Sequence, residues 1–166
     1  TAADMQDGKV NVVNCISDEL KVELSKPTAE AGKAGLLAPH RAGKEYQEGL
    51  FDVLVTAPVN NQTVQSDASR FSGHAEYLQE RAGEGEKALS VLVRNDFRIA
   101  LATGMVPLHE VSELLTKEMV SEKIAAFFRS LKVDFGIDNP RIAVLGLNPH
   151  AGENGLTGME EQQAII

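Results

Sequence analysis

The sequence predicts a layered α/β fold with a mixed sheet. Apolar runs of strand length, at Lys9–Ile16, Phe51–Thr56 and Ile142–Leu147, alternate with longer stretches whose apolar residues recur at helical spacing. The second and third runs stop abruptly in polar, proline-containing turns, as strands do at the rim of an open sheet. A further pair of runs, Leu89–Val93 and Phe97–Thr103, is joined only by Arg94-Asn95-Asp96, which predicts an antiparallel hairpin.

The elements follow in chain order. Lys9–Ile16 reads as a strand and Ser17–Pro27 as a polar loop. Thr28–Gln47 is Ala-rich with charges at helical spacing, and Pro27 suits its start. Pro39 inside it removes a hydrogen bond and clashes one turn back, at a cost of about 3 kcal/mol. A kink or break near Leu37-Ala38 is therefore expected, with Gly32, Gly35 and Gly43 weakening the helix further and His40 left exposed. Phe51–Thr56 is a buried strand that ends at Ala57-Pro58-Val59-Asn60-Asn61. Gly73-His74-Ala75 opens a short helix that ends near Gly83. Glu110–Leu115 is another short helix. In the long helix Lys117–Phe135, Val120, Ile124, Phe127, Phe128, Leu131 and Phe135 form one apolar face, and Gly136 stops it. The nearly unbroken apolar run at Ile142–Leu147 suits a strand covered on both faces. It breaks at Asn148-Pro149, passes His150, Gly152 and Gly155, and reaches a final helix opening at Gly158-Met159-Glu160-Glu161. If the strands are parallel, the loops at Asn60, Met105 and Asn148 share one rim.

Composition narrows the classes. A chain of 166 residues, 43% of them hydrophobic, suits one soluble globular unit. A net charge of −8 with no Lys/Arg stripe argues against nucleic acid as a partner. Cys15 is the single cysteine; it lies in an apolar run and reads as a small buried hydrophobe. No signal peptide and no membrane-length apolar run is present, so a reducing cytoplasm is the default location. Thr1 in place of an initiator Met, and a last helix cut at Ala164-Ile165-Ile166, suggest a piece of something larger.

Two histidines stand out. His150 follows a strand end in a glycine-rich loop, where α/β sheets place ligands; the alternative is a cap on the strand end. His74 opens a helix, where free N–H groups favour an anion such as phosphate; the alternative is a capping or packing histidine.

Four blocks carry a resemblance. Val55-Thr-Ala-Pro-Val-Asn60, Gly73-His-Ala-Glu-Tyr-Leu78, Arg98-Ile-Ala-Leu-Ala-Thr103 with Val106-Pro-Leu108, and Gly146-Leu-Asn-Pro-His-Ala-Gly-Glu153 resemble the 4-hydroxythreonine-4-phosphate dehydrogenase family in order and spacing. The resemblance covers the chain but only the middle, roughly half, of a family member. It implies an enzyme of pyridoxal phosphate synthesis that uses NAD and a divalent metal (zinc, magnesium, manganese or cobalt). Such an enzyme oxidises the secondary alcohol of 4-phosphohydroxy-L-threonine, and the product then decarboxylates. It further implies a fold like the isocitrate and isopropylmalate dehydrogenases, with this chain as a single α/β unit, 1–166, central to a two-domain homodimer. The apolar stripe at Phe127/Phe128 adds to the expectation of self-association.

By the same resemblance His74 is a substrate-binding residue and Ala75 stands where the family has a substrate-touching threonine. His150 is one of three metal-binding histidines. Met105 occupies a second ligand position, and Asn61 replaces a usual lysine. A thioether is a poor ligand for a metal that polarises oxygen. His109, four residues beyond Met105, reaches the site only if the loop re-forms. Two other functions stay open: a related dehydrogenase of a four-carbon sugar-acid phosphate, and a non-catalytic phospho-ligand-binding or dimerisation module, which the residues at 61, 75 and 105 favour.

Overall fold

The computed structural model describes residues 5–17, 19–21, 23–65, 73–82 and 87–166. They form two compact units, Thr1–Ala88 and Leu89–Ile166.

The first unit is built on helix α1, Ala29–Gln47. Thr28 caps it, its hydroxyl accepting from the Ala31 N–H at 3.2 Å. The expected break at Leu37-Ala38 does not occur, and the helix runs through Pro39 as one element. Pro39 is buried, and α1 packs against helix α2, His74–Ala82. The continuity of α1 shows tertiary packing outweighing a local penalty of about 3 kcal/mol. His40 is exposed, as expected. The end of α2 near Gly83 lies outside the described residues. Val64 and Tyr77 form the buried centre of this unit, with Leu36, Val59 and Leu78 packed on them. Arg41 Nε donates to the nearly buried Glu45 carboxylate at 2.6 Å along the side of α1. Cys15 is half-buried, its thiol 3.5 Å from the Val13 carbonyl.

The second unit opens with the expected hairpin. Strands β1, Val91–Arg94, and β2, Phe97–Ala100, pair antiparallel with Leu92 opposite Ile99. Asn95 takes the positive φ (52°) that a two-residue turn demands, which asparagine tolerates. A 3₁₀ turn, Leu108–Glu110, leads into the short helix α3, Val111–Leu114, and then α4, Lys117–Val133. Val120, Phe127 and Leu131 are the buried positions of α4, while Phe128 of the predicted stripe is exposed. Beyond α4 the chain turns at Gly136, and the Ile137 N–H satisfies the Leu131 carbonyl at 2.9 Å. The Arg98 guanidinium of β2 lies 4.6 Å from the Phe135 ring centre, tying the hairpin to the end of α4. Arg98 Nε is buried with no hydrogen-bond partner among the described residues, so the ring face supplies part of what water would have given it.

Thr116 Oγ accepts from the Met119 N–H at 3.2 Å and caps α4. Thr116→Ala is expected to cost about 1 kcal/mol, read as a lower melting temperature of the α4 amide signals.

No mixed sheet is formed among the described residues. Among the described residues the only ladder is β1–β2. The runs at 9–16, 51–56 and 142–147 carry no strand, and Val12, Val55 and Leu145 are 86%, 89% and 83% exposed. An apolar run expresses a preference for a pleated, half-buried surface, but a strand exists only when a neighbour takes up its N–H and C=O groups. The loops at Asn60 and Asn148 are thus not strand ends here. What the structure supports is an α/β composition of helices with one small sheet.

Candidate functional site

His150 sits in the turn Pro149–Gly155, which is helical in the wrong hand. From His150 to Asn154 five successive residues have φ between 48° and 75°. Each left-handed residue other than glycine costs roughly 1–2 kcal/mol. Gly152 and Asn154 are suited to the region, whereas His150, Ala151 and Glu153 are not, so the surroundings must hold the turn. Just beyond its end, the Thr157 N–H donates back to the Gly152 carbonyl at 3.1 Å. The approach is close at Gly152, where a Cβ would lie 2.5 Å from the Gly158 carbonyl oxygen. The exposed His150 ring places Nδ1 2.9 Å from Glu153 Oε1, which leaves Nε2 as the ring nitrogen for a ligand.

The start of the turn is clasped from outside. Glu161, at the head of a short π-helical turn Glu161–Ile165, is only 2% exposed. Its Oε1 accepts from the Asn148 backbone N–H at 2.5 Å and its Oε2 from the Asn148 side-chain amide at 3.2 Å. Glu160 accepts from the same amide at 3.0 Å. The Asn148 N–H holds the Glu161 carboxyl below the usual carboxylate range; burial pushes the other way, and the Asn148 side chain adds to the lowering.

The other predicted residues are divided between the two units. His74 and Ala75, both half-buried, open α2 in the first unit. Near the start of α1 a cleft of about 510 Å³ is lined by Lys26, Thr28, Gly32, Asn60 and Thr63, so the block ending at Asn60 faces the head of a helix. In the second unit Met105 is 74% exposed. His109 is exposed beside Glu110, its Nε2 3.7 Å from Oε1. Among the described residues no three His, Cys, Asp or Glu side chains gather closely enough to hold a metal ion. One imidazole and a thioether do not make a divalent site, so the described residues do not by themselves fit the implied metal.

The model of the family described as pyridoxal phosphate biosynthetic protein PdxA matches residues 1–166. The chain belongs to this family. A 4-hydroxythreonine-4-phosphate dehydrogenase of Bacteroides thetaiotaomicron is 56% identical over 166 residues, 100% of this chain and 46% of its own length. One from a Sulfurihydrogenibium species is 38% identical over 148 residues, 89% of this chain and 46% of its own. A crystal structure of the Klebsiella pneumoniae 4-hydroxythreonine-4-phosphate dehydrogenase matches with a TM-score of 0.69 at 31% identity, covering 84% of this chain and 42% of that one. The PdxA-family chain described here thus spans less than half the length of these relatives.

Glu161 and the handedness of the His150 turn escaped the sequence reading. Glu160 and Glu161 read only as acids suited to a helix start. The signal available was the density of Gly and Asn at 152, 154, 155 and 158, which are the residues that adopt positive φ most readily.

Proposed function

We propose that this chain is the central part of a two-domain dehydrogenase that oxidises 4-phosphohydroxy-L-threonine in pyridoxal phosphate synthesis. The observation that carries the reading is identity of 56% over the whole chain, a span that contains the Gly146–Glu153 block presenting His150. In the net reaction the secondary alcohol gives a hydride to NAD and a proton to a base, and the resulting β-keto acid loses carbon dioxide. The fold of the whole protein would be that of the isocitrate and isopropylmalate dehydrogenases, cytoplasmic and homodimeric. His74 would hold substrate from the head of α2, with Ala75 beside it. His150 would contribute Nε2 as one donor to a divalent metal. No step through the metal is assigned to this chain, since Met105 stands at the second donor position.

Met105, Ala75 and Asn61 favour a second reading, a non-catalytic phospho-ligand-binding module. The test is NADH formation from 4-phosphohydroxy-L-threonine by a family-length protein carrying this segment with Met105→His and Ala75→Thr. NADH with release of carbon dioxide is expected. An inactive protein that still binds the substrate would replace the dehydrogenase reading with the second one. Turnover of a four-carbon sugar-acid phosphate instead would change the substrate.

A further inference from the structure

We infer that Glu161 is the positioning residue of the His150 turn: its buried carboxylate grips both amide groups of Asn148 and so fixes the left-handed run that presents the imidazole. The functional weight of this inference rests on reading His150 as a site residue.

The argument begins with the improbability of the turn. Three residues that disfavour the left-handed region, at roughly 1–2 kcal/mol each, occupy it in a row of five. The hydrogen bonds within the turn are local and include long ones, such as Ala151 N–H to the Asn148 carbonyl and Leu156 N–H to the Glu153 carbonyl, both 3.3 Å. An anchor from elsewhere in the chain is needed, and Glu161, thirteen residues from Asn148, provides it. A buried carboxylate is costly unless its lone pairs are bonded, so packing alone would favour an apolar side chain there. Here both oxygens accept from Asn148. The loop is shaped around them: a Cβ added at Gly146 or at Gly152 would lie 3.2 Å from a Glu161 oxygen. The Glu161 carboxylate bonds to Asn148, whereas the His150 ring bonds to Glu153. It acts through Asn148, two residues before the imidazole.

The test uses ¹⁵N relaxation and limited proteolysis on the 166-residue chain. In the unsubstituted protein the amides of 149–155 are expected to show order parameters near 0.85, as for rigid backbone. In Glu161→Ala they are expected to fall below about 0.6 while α4 amides stay unchanged. Cleavage after Glu153 by a glutamate-specific protease should rise about tenfold or more, since such cleavage follows the population of the open form. Glu161→Gln keeps one acceptor for the Asn148 N–H and should lie between the two. Asn148→Ala removes the partner and should loosen the turn without touching Glu161. An ordered, protease-resistant turn in Glu161→Ala or Asn148→Ala overturns the inference, as does an equal loss of order in α4 and the turn in both variants. If Glu161→Ala does not fold, Asn148→Ala and Glu161→Gln decide by the same readouts. None of these depends on turnover, so failure of the dehydrogenase reading and failure of this inference are separately visible.

Discussion

The 166-residue chain is expected to form no detectable NADH from 4-phosphohydroxy-L-threonine, whichever of zinc, magnesium or manganese is added. Three deficits act together. Met105 offers an exposed thioether where the family resemblance places a histidine, and no other cluster of donors among the described residues replaces it. Ala75 lacks the hydroxyl, and Asn61 the ammonium, that the family resemblance places there to hold substrate in register, and misplacement of about 1 Å already costs on the order of a hundredfold. The relatives carry more than half of their length outside the matched segment, and the proposed reading puts surfaces that would exclude water and seat NAD there. In a family-length protein, Met105→His with Ala75→Thr is expected to raise kcat/KM by at least about a hundredfold over the unsubstituted parent. Outer partners of metal ligands alone shift affinity or activity by about 10–100-fold, and a ligand itself should weigh no less. NADH from the unmodified 166-residue chain would refute the prediction. Equal activity of the parent and the doubly substituted protein would show that the positions assigned to Met105 and Ala75 are wrong.

The helices and the hairpin were legible because their determinants are local. Thr28 and Thr116 cap the helices they precede, Val120, Phe127 and Leu131 recur on one face, and Asn95 serves a turn that the spacing of two runs demanded. The strands at 9–16, 51–56 and 142–147 were not, because an apolar run cannot name the neighbour that completes its ladder. The break expected at Pro39 is absent for the opposite reason: the penalty is local, but the burial that outweighs it depends on where α2 packs. In the candidate site, the motif disclosed His150 and the glycines, while the clasp by Glu161 is a contact across thirteen residues that no local rule anticipates. Met105 was visible as a departure only against the family pattern; its exposure and the absence of a three-donor cluster among the described residues give that departure physical content.

Gly32→Ala is expected to destabilise the first unit by roughly 2–3 kcal/mol, and Gly35→Ala, three residues along the same helix, to stabilise it by up to about 1 kcal/mol. Both changes gain the same helix propensity, about 1 kcal/mol, because alanine loses less backbone entropy than glycine. Their surroundings decide the sign. A Cβ at Gly35 would sit 3.7 Å from Val59 Cγ1, an ordinary contact that adds a little burial. A Cβ at Gly32 would overlap the Thr63 peptide carbonyl, which is backbone and cannot rotate away. The 60–64 turn would have to lift off α1, straining the bonds from the Thr63 and Val64 N–H groups to the Asn60 carbonyl. It would also draw Val64, now 3% exposed, away from Tyr77. Full exposure of such a side chain costs about 1.5–3 kcal/mol, and forced overpacking typically 1–3 kcal/mol, so the propensity gain is outweighed. Because the chain has two units, a single melting curve is not a two-state measurement, and the amide signal of Tyr77 should be followed as the probe of the first unit. At about 4–8 °C per kcal/mol for a unit of this size, Gly32→Ala should melt at least about 8 °C lower and Gly35→Ala a few degrees higher than the parent. If both variants melt higher, Thr63 does not approach Gly32 closely, and the packing of the 60–64 turn on the head of α1, with the cleft beside it, must be redrawn.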